Sequence, residues 1–241
     1  MRRWLVELLG EKFDVEEFPH WFPTGDIHAI TEGETVFLTG PDFEQCADAE
    51  AVRRLADRVV EEQYAIVCLL QAGVKLPQIG RICREREDGT RNAYVLLAGA
   101  GHMRMKLRGM LTSGAGDPPG PTQAQEFLSV ARSNRHLLVA VSLLARPSAS
   151  WPHLYRCLEE LEHYLGKTVF TDGLSSNNQR ERFTRSANAA EIAGTDARHR
   201  LGKFEPPSNP MSLVDARAYI VGMLQVVLRR ANPKKHVEDA A

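Results

Sequence analysis

Apolar positions follow two different rhythms along this chain, one before residue 112 and another after residue 122. In the first stretch, short apolar runs predict strands at Trp4–Leu8, Ile27–Ile30 and Thr35–Thr39. The last two are expected to pair as a hairpin across a Glu-Gly turn. Val52, Leu55, Val59, Ile66 and Leu70 recur at helical spacing and predict a long helix from about Asp48 to Gln71, with Gly73 as its stop. Strands at Ile79–Glu85 and Asn92–Ala98 are expected around an Asp-Gly turn signal. In the strand expected at Gly101–Leu111, Met103, Met105, Leu107 and Leu111 share one face, and His102, Arg104, Lys106 and Arg108 share the other. Such a row of cations can track a phosphate backbone. It equally suits a solvated outer face or a protected edge strand. The sequence favours that plainer reading, because no aromatic platform accompanies the row.

The stretch TSGAGDPPGPT, residues 112–122, breaks the pattern with small residues and three prolines. Helical spacing then predicts helices at Gln123–Ala131, Arg135–Ala145, Trp151–Leu165, Asn178–Ala187 and Ser212–Arg230. Ser212 and Asp215 have capping-box spacing, and Leu213, Ala216, Ile220, Met223, Leu224 and Val227 form a core-facing stripe. The expected fold class is therefore α+β: a mixed strand/helix domain over 1–111, a linker over 112–122, an all-α helical bundle over 123–232 and a flexible tail over 233–241.

A helix such as Trp151–Leu165 turns about 100° per residue, so Leu154, Leu158, Leu161 and Leu165 share one stripe. Trp151, Tyr155, Glu159 and Glu162 flank it, while Glu160 falls far round and is expected in solvent. A carboxylate beside a buried aromatic surface needs a cation or donors. Arg182, Arg185, Arg198, His199 and Arg200 are placed to supply them. Asn188 can close such a network or stop a helix. Gly194 is expected to turn the chain, so that Thr195 or Asp196 starts a short helix carrying Arg198 and His199. In the functional reading His199 exchanges a proton near neutral pH, and Arg198 holds a phosphate or developing anion. In the structural reading Glu159 or Glu162 pairs with Arg198, and Asn188 satisfies backbone groups.

Composition narrows these readings. A net charge of −1 argues against coating nucleic acid by bulk charge and leaves only a local patch. No window reaches the ~18 apolar residues a membrane span needs, and the first residues lack a signal-peptide cleavage site. The four cysteines show no CxxC or Cys/His spacing, which fits a reducing cytoplasm. No histidine spacing suits a metal and no glycine-rich cofactor motif occurs, so neither metal nor cofactor is expected.

The strings W-P-H-L-Y-R-C-L-E from Trp151, F-T-R-S-A-N, G-T-D-A-R-H and P-M-S-L-V-D-A resemble a C-terminal module of uncharacterised bacterial proteins. That module is similar to a divergent HEPN-type helical domain, a class found in toxin–antitoxin and antiphage systems. The resemblance covers residues 127–230, with Trp151, Tyr155, Glu159, Asn188, Arg198 and His199 at signature positions. HEPN ribonucleases carry an arginine and a histidine separated by four to six residues, with a polar residue directly after the arginine. Here Cys157 follows Arg156 ahead of His163, and Ala231 follows Arg230 ahead of His236. The leading expectation is a binding protein whose helical domain holds an anion- or nucleic-acid-contacting pocket around Asn188, Arg198 and His199, with Arg182, Arg185, Glu159 and Tyr155 as further binding residues, RNA, a nucleotide or a protein as partner, and a homo-oligomeric state. The resemblance implies a bacterial defence setting and an accessory role. Metal-independent RNA cleavage by His199 and Arg198 is the alternative, and a purely structural scaffold is the third.

Overall fold

The computed structural model describes residues 3–96, 102–108, 120–146, 149–197 and 205–232, with 95–96 and 102–108 described through their backbone. The fold is α+β. In chain order the first elements are β1 (Arg3–Leu9), α1 (Lys12–Glu16), α2 (Phe18–Trp21), β2 (His28–Glu32), β3 (Thr35–Thr39), α3 (Pro41–Glu44), α4 (Ala49–Leu70), β4 (Gln78–Glu85), β5 (Thr90–Leu96) and β6 (His102–Arg108). Helices α5 (Gln123–Ser133), α6 (Arg135–Leu144), α7 (Trp151–Leu165), α8 (Asn177–Asn188), α9 (Ala190–Ala193), a 3-10 turn (Gly194–Asp196) and α10 (Leu213–Arg230) follow. The described residues fall into two compact units, one within 1–67 and 73–125, the other within 68–72 and 126–241. Strand ends expected beyond Leu96 and Arg108, most of the expected linker, Arg198, His199, Arg200 and the expected tail lie outside the described residues.

The first unit is built on an antiparallel sheet ordered β2-β3-β1-β4-β5-β6. The β2–β3 hairpin is the expected one, and β1 lies between strands distant from it in sequence. Because β1 is central, apolar residues occupy both its faces: Trp4, Leu5, Val6 and Leu8 are all buried. One face carries a cluster drawn from strands alone, Leu5, Phe37, Cys83 and Ala93.

An ion network closes one end of that cluster. Arg3, Glu85 and Arg91 stand in one register row. Arg3 Nε donates to Glu85, and Arg91 donates to Glu85 Oε1 from Nε at 3.1 Å and from Nη2 at 2.9 Å. Glu32 of β2 bridges both cations, at 2.8 Å to Arg3 and 2.6 Å to Arg91. Burial pushes the Glu85 carboxyl up, but the bonds from Arg3 and Arg91 outweigh it and hold the group below its ordinary 4.5. Its contribution is therefore complete above that value and is lost as pH falls through the lower folded pKa. Glu85→Gln should cost about 2–3 kcal/mol at neutral pH, below the range for a fully buried pair because Arg3 is part-exposed. Urea denaturation at descending pH checks this: the penalty should shrink once the native carboxyl is protonated, and a pH-independent penalty contradicts it.

The second unit packs α7 against α6, α8 and α10. Leu154, Leu158 and Leu161 form the expected stripe, and Cys157 is buried with them. Ser212 caps α10 in the expected capping box with Asp215, whereas Leu213 is 40% exposed and lies outside the core stripe. Glu160 corrects an expectation. It is not solvated, because α6 covers that side of α7 and His136 Nδ1 meets Glu160 Oε2 at 2.7 Å. Among the described residues, no helix is long and apolar enough to cross a membrane.

Candidate functional site

Two of the polar residues expected to form a site in the helical unit, Arg182 and Arg185, are engaged with the chain itself. On α8, Arg182 and Arg185 lie one turn apart and hold the 205–210 segment by its carbonyls. Arg182 donates to Asn209 O at 2.6 Å and Pro210 O at 3.2 Å. Arg185 donates to Glu205 O at 3.2 Å and Pro206 O at 3.4 Å. Directly after Arg185, Ser186 is fully buried, accepts from Met211 N at 3.0 Å and fixes the start of the run into α10.

The carboxylate beside the aromatic surface is Glu162, and its cation is Arg180, outside the expected arginine cluster. Arg180 donates from Nε and Nη2 at 2.7 and 3.0 Å, and Val169 N adds a third bond at 3.1 Å. Glu159 is exposed on α7. Tyr155 is half-buried and stacks on Phe183 with ring centroids 6.3 Å apart. Asn188 is the last residue of α8, and its Oδ1 is buried with no hydrogen-bond partner among the described residues. After Gly194 the chain makes one 3-10 turn and Ala197 is extended, so the short helix expected from Thr195 or Asp196 is limited to that turn within the described residues. Arg198 and His199 lie outside them.

His136 of α6 forms a second polar contact in this unit. His136 is paired with Glu160, its ring stacks on His163 at 5.5 Å, and Arg156 reaches Glu160 at 3.4 Å. The His136 bond, with Arg156 after it, holds the Glu160 carboxyl below its ordinary value. No group of His, Cys, Asp and Glu suited to a metal ion occurs among the described residues.

A second polar site, unforeseen in the sequence, lies at the β4–β5 hairpin. An open recess of about 530 Å³ is lined by Arg84, Glu85, Arg86, Glu87, Asp88, Asn92 and Tyr94. The turn that shapes it closes through Arg86 N to Thr90 O at 2.8 Å and Gly89 N to Arg86 O at 3.0 Å. Gly89, at φ 75°, supplies the left-handed residue such a hairpin needs. Asp88 is exposed in the turn and accepts from Thr90 N at 3.0 Å and from the Thr90 hydroxyl at 2.6 Å.

Both arginines of the recess are held without being neutralised. The Arg84 guanidinium lies over the Trp4 ring at 4.8 Å, a cation–π contact, and its buried Nε has no hydrogen-bond partner among the described residues. Arg86 is steadied by Asn92, whose amide, oriented by the hydrogen-bond network, accepts from Nε at 3.3 Å and Nη2 at 3.0 Å. Neither has a carboxylate partner among the described residues, since Glu85 is taken by Arg3 and Arg91. Tyr94 packs beside Trp4 at 5.8 Å. Two preorganised guanidinium groups beside an aromatic ring suit an anionic, planar ligand. No family model, curated protein or solved structure matches this chain.

Proposed function

We propose that this protein acts by binding an anionic ligand, as an accessory rather than a catalytic component. The observation that supports it is the pair Arg84 and Arg86, fixed by Trp4 and Asn92 and left without carboxylate partners in an open recess. Fixing a cation without neutralising it leaves its electrostatic capacity to an incoming anion and lowers the ordering cost of binding. The resemblance of residues 127–230 to a HEPN-type module points to a bacterial defence or toxin–antitoxin setting for that role.

Calorimetric titration of the full chain with inorganic tripolyphosphate tests the reading. Arg84→Gln combined with Arg86→Gln should weaken binding about tenfold, the loss of one or two charge-assisted hydrogen bonds, with the melting temperature held. Binding that is absent, or unchanged in the double variant, overturns it. A second, enzymatic reading, separate from the one expected at His199 and Arg198, rests on the His136–Glu160 pair and makes a different demand: RNA cleavage by the native chain, abolished by His136→Gln.

A further inference from the structure

Building on the anion-binding reading, we infer that the ligand is a single-stranded nucleic acid lying across the β4–β5–β6 face. The register carries the inference. Residues opposite one another in antiparallel strands share a sheet face, and one row runs Ala29, Leu38, Val6, Ile82, Tyr94, Arg104. It passes from buried apolar residues at its centre, through an aromatic residue lining the recess, to a cationic residue on β6. The neighbouring row runs Trp4, Arg84, Asn92, Lys106, and the next pairs Thr90 with Arg108.

The cationic positions 104, 106 and 108 therefore belong to the same face as Tyr94 and Arg84. They repeat about every 6.8 Å along β6, twice the rise per residue of a strand, as a repeating polyanion requires. Tyr94 stands one strand inward, about 4.8 Å from that row. A base turned inward from the backbone can meet its ring or the flat Arg84 guanidinium. Trp4, 1% exposed, backs both and stays out of reach.

Edge protection alone explains the cations on β6, the last strand of the sheet. It does not explain Arg84, which has no carboxylate partner among the described residues, and Tyr94 in the same rows. Glu87 and Asp88 are the carboxylates that oppose the assignment, since both line the recess and are exposed. Asp88 is tied to Thr90, and Glu85 to Arg3 and Arg91. A duplex is disfavoured because its bases stay stacked inside, beyond the reach of Tyr94.

Fluorescence anisotropy of the full chain decides the matter, using labelled oligouridylate and oligothymidylate of about 12 nucleotides, a duplex of equal length, and tripolyphosphate. The single strands should bind more tightly than the duplex. Tyr94→Leu, which keeps apolar bulk without a π face, should weaken single-strand binding roughly tenfold, as loss of one stacked base does. It should leave tripolyphosphate binding unchanged, and Tyr94→Phe should restore the single strand. Changing Arg104, Lys106 and Arg108 together to Gln should reduce the salt slope of log K by about 2, near 0.7 per phosphate contact. If tripolyphosphate binds but single strands show no dependence on Tyr94, or the duplex binds better, the nucleic-acid inference falls and the anion site stands. If nothing anionic binds, both fall.

Discussion

Replacing Gly40 with alanine should destabilise the first unit by about 3 kcal/mol or more, combining backbone strain with a forced shift in packing. Gly40 ends β3 at φ 148°, ψ 167°, where its backbone runs directly against the segment before β2. A Cβ added there would lie 2.0 Å from Asp26 O and 2.7 Å from Asp26 C. Both are backbone atoms, which cannot swing aside as a side-chain tip can. The strain would also spread along the chain. From Gly40 the chain enters α3, whose Phe43 is fully buried and whose Glu44 Oε1 accepts from Trp4 N at 2.6 Å. On the other side of the glycine, the Thr39 hydroxyl donates to Trp4 O at 2.9 Å. Two anchors of β1, and with them the ring beneath Arg84, depend on that one turn. Amide exchange over residues 28–44 with urea denaturation measures the effect. A change below about 0.5 kcal/mol, typical of a neutral surface site, contradicts it.

The regular elements were legible because periodicity reports directly on which face of a segment is buried. Each strand and long helix expected in the described part of the chain is present to within a few residues. Helices α1, α2, α3 and α9 have four or five residues each and cannot display a helical period, so the sequence did not reveal them. Pairing between distant strands was equally hidden. Arg3 and Glu85 are 82 residues apart and meet because β1 inserts between β3 and β4. Neither local pattern nor turn chemistry predicts that insertion.

The same blindness shaped the reading of sites. Within its own strand the cationic row at 102–108 has no aromatic neighbour, because Tyr94 lies in the preceding strand, opposite Arg104. In the helical half, Arg182 and Arg185 looked like cations awaiting an anion. The partial charges they meet belong to carbonyls of the irregular 205–210 segment, which has no period to announce its course. Glu160 was assigned to solvent from the geometry of α7 alone, and the covering side chain, His136, comes from another helix.

Phe183→Ala should produce the largest loss in the second unit, about 3–5 kcal/mol, through lost burial plus the cavity left behind. Phe183 is fully buried on α8 and is the shared member of an aromatic cluster. Its ring lies 6.0 Å from Trp151 and 6.3 Å from Tyr155 on α7, and 5.6 Å from Tyr219 on α10. Each such pair adds about 0.5–1.5 kcal/mol beyond its buried area, so the three together place the variant toward the upper end. The hole cannot close easily, because flanking polar bonds hold its walls: Arg180 to Glu162 on one side and Tyr219 Oη to Ser175 Oγ, 2.8 Å, on another. Phe183→Leu keeps most of the volume and loses the ring pairs, and should cost roughly half as much. Amide exchange in residues 177–188 and 213–230, read beside urea denaturation, separates these cases. Equal losses in the two variants would mean that ring geometry, not filled volume, joins α8 to α7 and α10. A loss under about 1 kcal/mol in Phe183→Ala would remove the cluster as the tie among the three helices.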